Sequence, residues 1–172
     1  LEPASITVVV LDKATKAAII EAAEGNVAAI RAMVKSKAAA NLQDKKGRSI
    51  LFLAAKGGHT DIVTILLENK AAVDARDAQS DTVLMKMSKI DSDLEARYAP
   101  IVKLLVEHKA SLNLRDSNGS TALMLAASNG NIEILRILLE NKASIDLQAT
   151  SDRQSAVFTA AVRGHKDIVK LL

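Results

Sequence analysis

The chain of 172 residues has no cysteine and no tryptophan, and its aromatic residues are only Phe52, Tyr98 and Phe158. Without thiols there are no disulfide frameworks, Cys-ligated zinc, iron–sulfur clusters or thiol nucleophiles. With so few rings there is almost no platform on which bases or sugars can stack. Ala, Leu, Ile and Val must therefore build the core. No apolar run approaches the ~18 residues that a membrane-crossing helix needs. Nor is there a strong excess of one charge: 23 Lys and Arg against 20 Asp and Glu leave a formal +3, too little by itself to argue for nucleic acid. What is present, 49% apolar and 25% charged residues, has the proportions of a soluble globular protein. The length fits one domain over residues 1–172. Missing cysteine suits reducing and oxidising compartments alike. The default expectation is the cytoplasm, and a removed signal peptide would make it the periplasm or the exterior. The chain starts at Leu1 without Met and stops in an apolar run at Leu172, so it reads as a piece of something longer.

A repeat of about 33 residues organises the sequence. Ile62-Val63-Thr64-Ile65-Leu66-Leu67-Glu68-Asn69-Lys70-Ala71 returns 72 positions later as Ile134-Leu135-Arg136-Ile137-Leu138-Leu139-Glu140-Asn141-Lys142-Ala143. Ile101-Val102-Lys103-Leu104-Leu105-Val106 lies between them, and Ile168-Val169-Lys170-Leu171-Leu172 follows. A weaker copy runs from Ile30 to Ala38. The units fall at 12–43, 44–76, 77–115, 116–148 and 149–172, the last one cut short.

Each unit carries a turn and two helical patterns. In the second, Asp44-Lys45-Lys46-Gly47 signals the turn. Ser49 is placed to cap a short helix over Ile50–Lys56, and Gly57-Gly58 ends it by allowing a positive φ. Thr60 or Asp61 opens the second helix. Its apolar residues Ile62, Val63, Ile65, Leu66 and Leu67 exceed one narrow stripe, so it should be buried on two sides. A single unit cannot cover these faces. Burying a Leu, Ile or Val side chain is worth roughly 1.5–3 kcal/mol, against a backbone entropy cost of about 1–2 kcal/mol per residue. Stacked copies resolve the conflict, because each covers its neighbour. The expected object is an elongated, all-α repeat solenoid with one continuous core.

These residues resemble the ankyrin-repeat family over roughly residues 12–172. The resemblance rests on Asp44-x-x-Gly47, Ala54-Ala55, Gly58-His59, Ile62-Val63, Leu66-Leu67 and Ala71-Ala72-Val73-Asp74. It recurs as Asp116-x-x-Gly119-x-Thr121-Ala122-Leu123, Ala126-Ala127, Gly130-Asn131 and Ala143-Ser144-Ile145-Asp146, then as Ala160-Ala161, Gly164-His165 and Ile168-Val169. It implies stacked antiparallel helix pairs with projecting β-hairpin turns. The family's Thr-Pro-Leu-His segment is altered throughout, with Phe52, Met85, Met124 and Phe158 in place of His. Apolar packing is expected there. The third unit carries about six extra residues within 90–100, expected to extend its first helix or the loop between helices. Tyr98 is expected to be an exposed contact or to pack onto the stack. Ser5 to Leu11 is β-branched and apolar, suiting an edge strand or a cover for the first unit.

No catalytic constellation is legible. His59 and His165 share a slot after Gly, with a structural role, and His108 ends a helix, where it suits the dipole. The glycines are turn residues, not a phosphate loop. Asp12, Asp44, Asp77, Asp116 and Asp152 lie at or near the starts of units, as turn caps do. No enzyme activity, cofactor or metal is expected. In proteins resembling this one, partners bind the concave face made by hairpins and first helices. The matching positions give a candidate partner surface of Lys45, Lys46, Arg48, Lys56, Arg76, Asp81, Lys89, Arg115, Ser117 and Asn118. It is basic in the second unit and neutral in the fourth, which suits an acidic peptide or protein. The leading expectation is a non-catalytic interaction scaffold, monomeric or self-associating through its ends. A targeting or regulatory segment of a larger enzyme, effector or membrane protein is the alternative. Nucleic-acid binding through the basic residues is weaker, because aromatics are few and Asp77, Asp81 and Asp116 interrupt the charge.

Overall fold

A computed structural model describes residues 13–34, 40–151 and 153–172, with only the backbone described for 13–16. Ser5–Leu11, Asp12, Lys35–Ala38 and Asp152, singled out in the sequence, lie outside the described residues. Ten α-helices are present among those described: α1 (Lys13–Glu24), α2 (Val27–Met33), α3 (Ile50–Gly57), α4 (Thr60–Glu68), α5 (Val83–Ser88), α6 (Glu95–Glu107), α7 (Ala122–Asn129), α8 (Ile132–Glu140), α9 (Ala156–Val162) and α10 (Lys166–Leu171). Each odd-numbered helix pairs with the even one that follows. The odd helices also stack on one another in a row, and so do the even ones. The protein is thus an all-α repeat solenoid, in which each unit covers the next.

The local chemistry of each unit is nearly the same. Ser49, Thr82, Thr121 and Ser155 cap α3, α5, α7 and α9. Each Oγ accepts the backbone N–H three residues on, at 3.1, 3.3, 3.5 and 3.3 Å. Met85 and Met124 do more than fill space. Their Sδ atoms accept the N–H of the capping Thr82 and Thr121 at 3.4 and 3.5 Å, a weak thioether version of the reciprocal cap usually made by Glu. Gly58 and Gly130 end α3 and α7 in the left-handed region. Ile62, Val63, Ile65, Leu66 and Leu67 of α4 are all buried, as their number requires. The core is built mainly of aliphatic side chains with Met85, Met87 and Met124, and Tyr98 is the one buried aromatic ring among the described residues.

Two expectations change, and a third is met in part. The extra residues of the third unit lengthen the loop between its helices, 89–94 against 58–59 in the second unit, and form a 3-10 turn there, Ser92–Leu94. They also lengthen the second helix α6 to 13 residues against 9 in α4 and α8. They do not extend the first helix, since α5 has 6 residues. The projecting hairpins hold no named strand among the described residues. They are turns, two of them with an isolated antiparallel bridge, Gln43 to Ser49 and Gln148 to Ser155. Phe158 does not share the packing of Met85 and Met124 but is 52% exposed, because no described helix stacks on the outer side of α9.

Candidate functional site: the hairpin and first-helix face

The face that the sequence nominates begins at the hairpins. In three of them one aspartate closes the turn. Asp44 Oδ1 accepts the N–H groups of Lys46 and Arg48, both at 2.9 Å. Asp77 Oδ1 accepts those of Gln79 and Asp81 at 2.9 and 3.0 Å, and Asp116 Oδ1 those of Asn118 and Ser120 at 2.9 Å. A short carboxylate two residues before the donor is well placed to do this. In the fifth hairpin Ala149 takes this slot, and the turn is one residue longer: Ala149 N–H bonds the carbonyl of Gln154, where Asp116 N–H bonds that of Ser120.

Neighbouring hairpins are tied together. Arg76 donates from Nη1 to the carbonyls of Ser80 and Arg115, at 2.6 and 2.8 Å. Arg115 repeats the pattern one unit on, to Gly119 and Gln148, at 2.7 and 2.6 Å. At the hairpin feet, Asn41 accepts the N–H of Ala72, Asp74 that of Ser111, and Asn113 that of Ser144.

A cluster of ion pairs spans the third and fourth units. Lys86 Nζ lies 2.6 Å from Asp81 and 3.1 Å from Asp77. Lys89 Nζ lies 2.8 Å from Asp81 and 3.3 Å from Asp116. The three carboxylates are nearly buried, while the two lysines remain partly exposed. Burial by itself raises the Asp77 pKa. Hydrogen bonds from the Asp81 N–H, from Lys86 and from the Gln79 N–H outweigh this and hold it below the ordinary 3.8. Burial likewise works against the Lys86 ammonium, but Asp81 and Asp77 hold its pKa above 10.5. Asp44 is also held low: burial opposes ionisation, and hydrogen bonds from the Arg48 side chain and N–H and the Lys46 N–H prevail.

Where the first helices end, each unit reaches back to the one before. His59 Nε2 lies 2.9 Å from the Ala23 carbonyl, and His165 Nε2 lies 3.1 Å from that of Ser128. Asn131 holds the same slot in the fourth unit and donates to the carbonyls of Ser88 and Ile90, at 3.2 and 2.9 Å. The third unit lacks the Gly-His pair. There the Tyr98 hydroxyl donates to the Lys56 carbonyl at 2.8 Å, and Arg97 donates to Gly57. The insertion thus supplies a substitute for a missing bridge. Gly25 and Gly130 permit the same design from below: a Cβ on either would lie 2.7–2.8 Å from the ring of His59 or His165, and both have positive φ.

The ten candidate partner residues divide into two groups. Lys45, Lys46, Lys56, Ser117 and Asn118 are exposed. Lys45, Lys46 and Lys56 have no ion-pair partner among the described residues. Arg48 pairs with Asp44 at 2.6 Å. Arg76 and Arg115 brace the hairpins, and Asp81 and Lys89 belong to the ion cluster. Sequence reading missed Lys86. Its signal was the spacing Lys86-x-x-Lys89, which puts both ammonium groups on one helix face beside Asp77 and Asp81. Among the described residues no three His, Asp or Glu side chains are grouped to hold a metal.

No helix among the described residues is long and apolar enough to cross a membrane. A family model, ankyrin repeats in three copies, matches residues 14–91 and again residues 93–172. No curated protein matches the chain. Ankyrin repeats are generally protein–protein interaction modules, and their fold is typically non-catalytic. The matched residues, the unit-on-unit stacking and the recurrent caps agree: the chain belongs to the ankyrin-repeat family.

Proposed function

We propose that this chain is a non-catalytic scaffold that binds an acidic partner protein or peptide along its concave hairpin and first-helix face. The observation that carries this reading is the division of labour among the charged residues. Arg48, Arg76, Arg115, Lys86 and Lys89 are occupied internally and hold the face rigid. Lys45, Lys46 and Lys56 remain exposed cations at its second unit. A pre-formed surface loses little freedom on binding, and unpaired rim charges accelerate encounter and select partners of opposite sign.

The test is a Lys45→Glu, Lys46→Glu, Lys56→Glu triple variant, assayed against a saturable protein partner recovered by affinity capture. Affinity should fall by about tenfold or more, mainly through slower association, with the melting temperature unchanged. Undiminished affinity rejects this part of the face. Binding to RNA or DNA with a steep salt dependence would replace the reading with the nucleic-acid one.

A further inference from the structure

The face changes character along the row, and the change can be read slot by slot. In the third unit the hairpin slot, the residue before the cap, and the fourth and seventh residues after it are Asp77, Asp81, Lys86 and Lys89. These charged side chains pair with one another, and Lys89 pairs with Asp116 as well. In the fifth unit the same slots hold Ala149, Gln154, Thr159 and Val162. Facing them, the fourth unit offers Leu125 and Ser128 where the third has Lys86 and Lys89.

No ion pair bridges α7 and α9 among the described residues, and Leu125, Ser128, Ala149, Thr159 and Val162 are shorter than the lysines of the third unit. An open groove of about 360 Å³ results, a volume at the small end of ligand-sized clefts. Leu125 and Val162 give it apolar surface, and Val162 is 71% exposed. Ser120 and Ser128 add hydroxyls. Arg163 also lines it, exposed and without an ion-pair partner among the described residues.

We propose that this groove anchors an extended peptide segment of a partner protein. The segment places an aliphatic side chain on Leu125 and Val162, and a carboxylate within two residues of it on Arg163. The apolar surface asks for an aliphatic group because burying Val162 removes it from water. The exposed guanidinium, without an ion-pair partner among the described residues, asks for an acid, which it can hold through two parallel hydrogen bonds. A basic neighbour is disfavoured by Arg163. This rests on the scaffold reading of the same face and adds the chemistry of one anchor.

The experiment is selection of displayed random linear peptides on the whole chain, followed by affinity measurement of the enriched sequences as synthetic peptides. Enriched sequences should share an aliphatic residue with Asp or Glu within two positions. Their affinity should fall by about tenfold or more on Ser128→Trp, which fills the groove, and on Arg163→Glu, with Arg163→Lys retaining most of it. The Ser128 carbonyl that His165 uses is untouched by the first variant, and should that variant fold poorly, exposed Arg163 decides the matter. No enrichment, enrichment without the aliphatic–acid pair, or affinities indifferent to Ser128→Trp and Arg163→Glu overturn the proposal. Affinities lost only on Lys45→Glu, Lys46→Glu, Lys56→Glu would overturn the anchor and leave the scaffold reading standing. Indifference to every variant would overturn both.

Discussion

Lys70, Lys109 and Lys142 take φ values of +64, +66 and +67°, a conformation that suits glycine. Each follows the C-cap of a second helix. The N–H of the next alanine bonds five residues back, Ala71 to Leu66, Ala110 to Leu105 and Ala143 to Leu138, while the lysine N–H bonds Leu67, Val106 and Leu139. This is the Schellman arrangement, built with lysine where glycine has no Cβ penalty. Lys109→Gly should therefore stabilise the chain by about 0.5–1 kcal/mol, the relief of left-handed strain less the added unfolded-state entropy of glycine. Chemical denaturation checks it, and a lower midpoint would be the wrong sign. Asn131 shows the opposite dependence. It is fully buried, and its amide group satisfies two carbonyls at the end of α5. Asn131→Ala should cost about 1–3 kcal/mol, because those carbonyls are left without their donor. The sequence announced the slot through Gly130-Asn131 but not the lysine conformation. Only the recurrence of Lys-Ala after three helices hinted at it, and lysine carries no intrinsic signal for positive φ.

At the scale of the element, the hairpin with its first helix is the unit on which pH acts. Asp44 and Asp77 titrate below 3.8 in the folded chain, so their stabilisation is present above that value and is lost as pH falls through the depressed one. Lys86 titrates above 10.5, so its contribution is complete below 10.5 and is lost as pH rises through the raised value. These groups thus predict flat stability between about pH 4 and 10 and loss at either side. Lys86→Met removes one cation from between Asp77 and Asp81. It should lower stability at pH 7 by about 1–3 kcal/mol, with a smaller deficit at about pH 3, where Asp77, held below 3.8, begins to protonate. Melting temperatures at the two pH values measure this, and a deficit independent of pH would contradict the pairing. Sequence reading counted Arg48, Arg76, Asp81, Lys89 and Arg115 as surface charge, since charge is visible in a sequence and partners are not. The same limit applied to the insertion. Tyr98 and Arg97 act on Lys56 and Gly57 across about 40 positions, and the absent Gly-His pair of the third unit was the only local clue.

At the scale of the whole molecule, the fold was the most legible part. Stacking imposes the same demand on every unit, so caps, small Ala-Ala pairs and apolar second helices recur in the sequence at the period of the structure. The groove between α7 and α9 was not legible. It lies where Ala149, Thr159 and Val162 stand in place of the third unit's charged side chains, and a gap leaves no motif. Each unit gains its stability from its neighbours. α7 and α8 have 8 and 9 residues, shorter than the ~12–15 at which an isolated helix becomes marginal in water. The most direct measurement compares the isolated peptide of residues 116–148 with the same residues in the whole chain, by circular dichroism and amide hydrogen exchange. The peptide should show the spectrum of an unfolded chain and unprotected amides, while in the whole chain α7 and α8 are protected. A peptide that melts cooperatively, with native-like protection in both helices, would contradict the account.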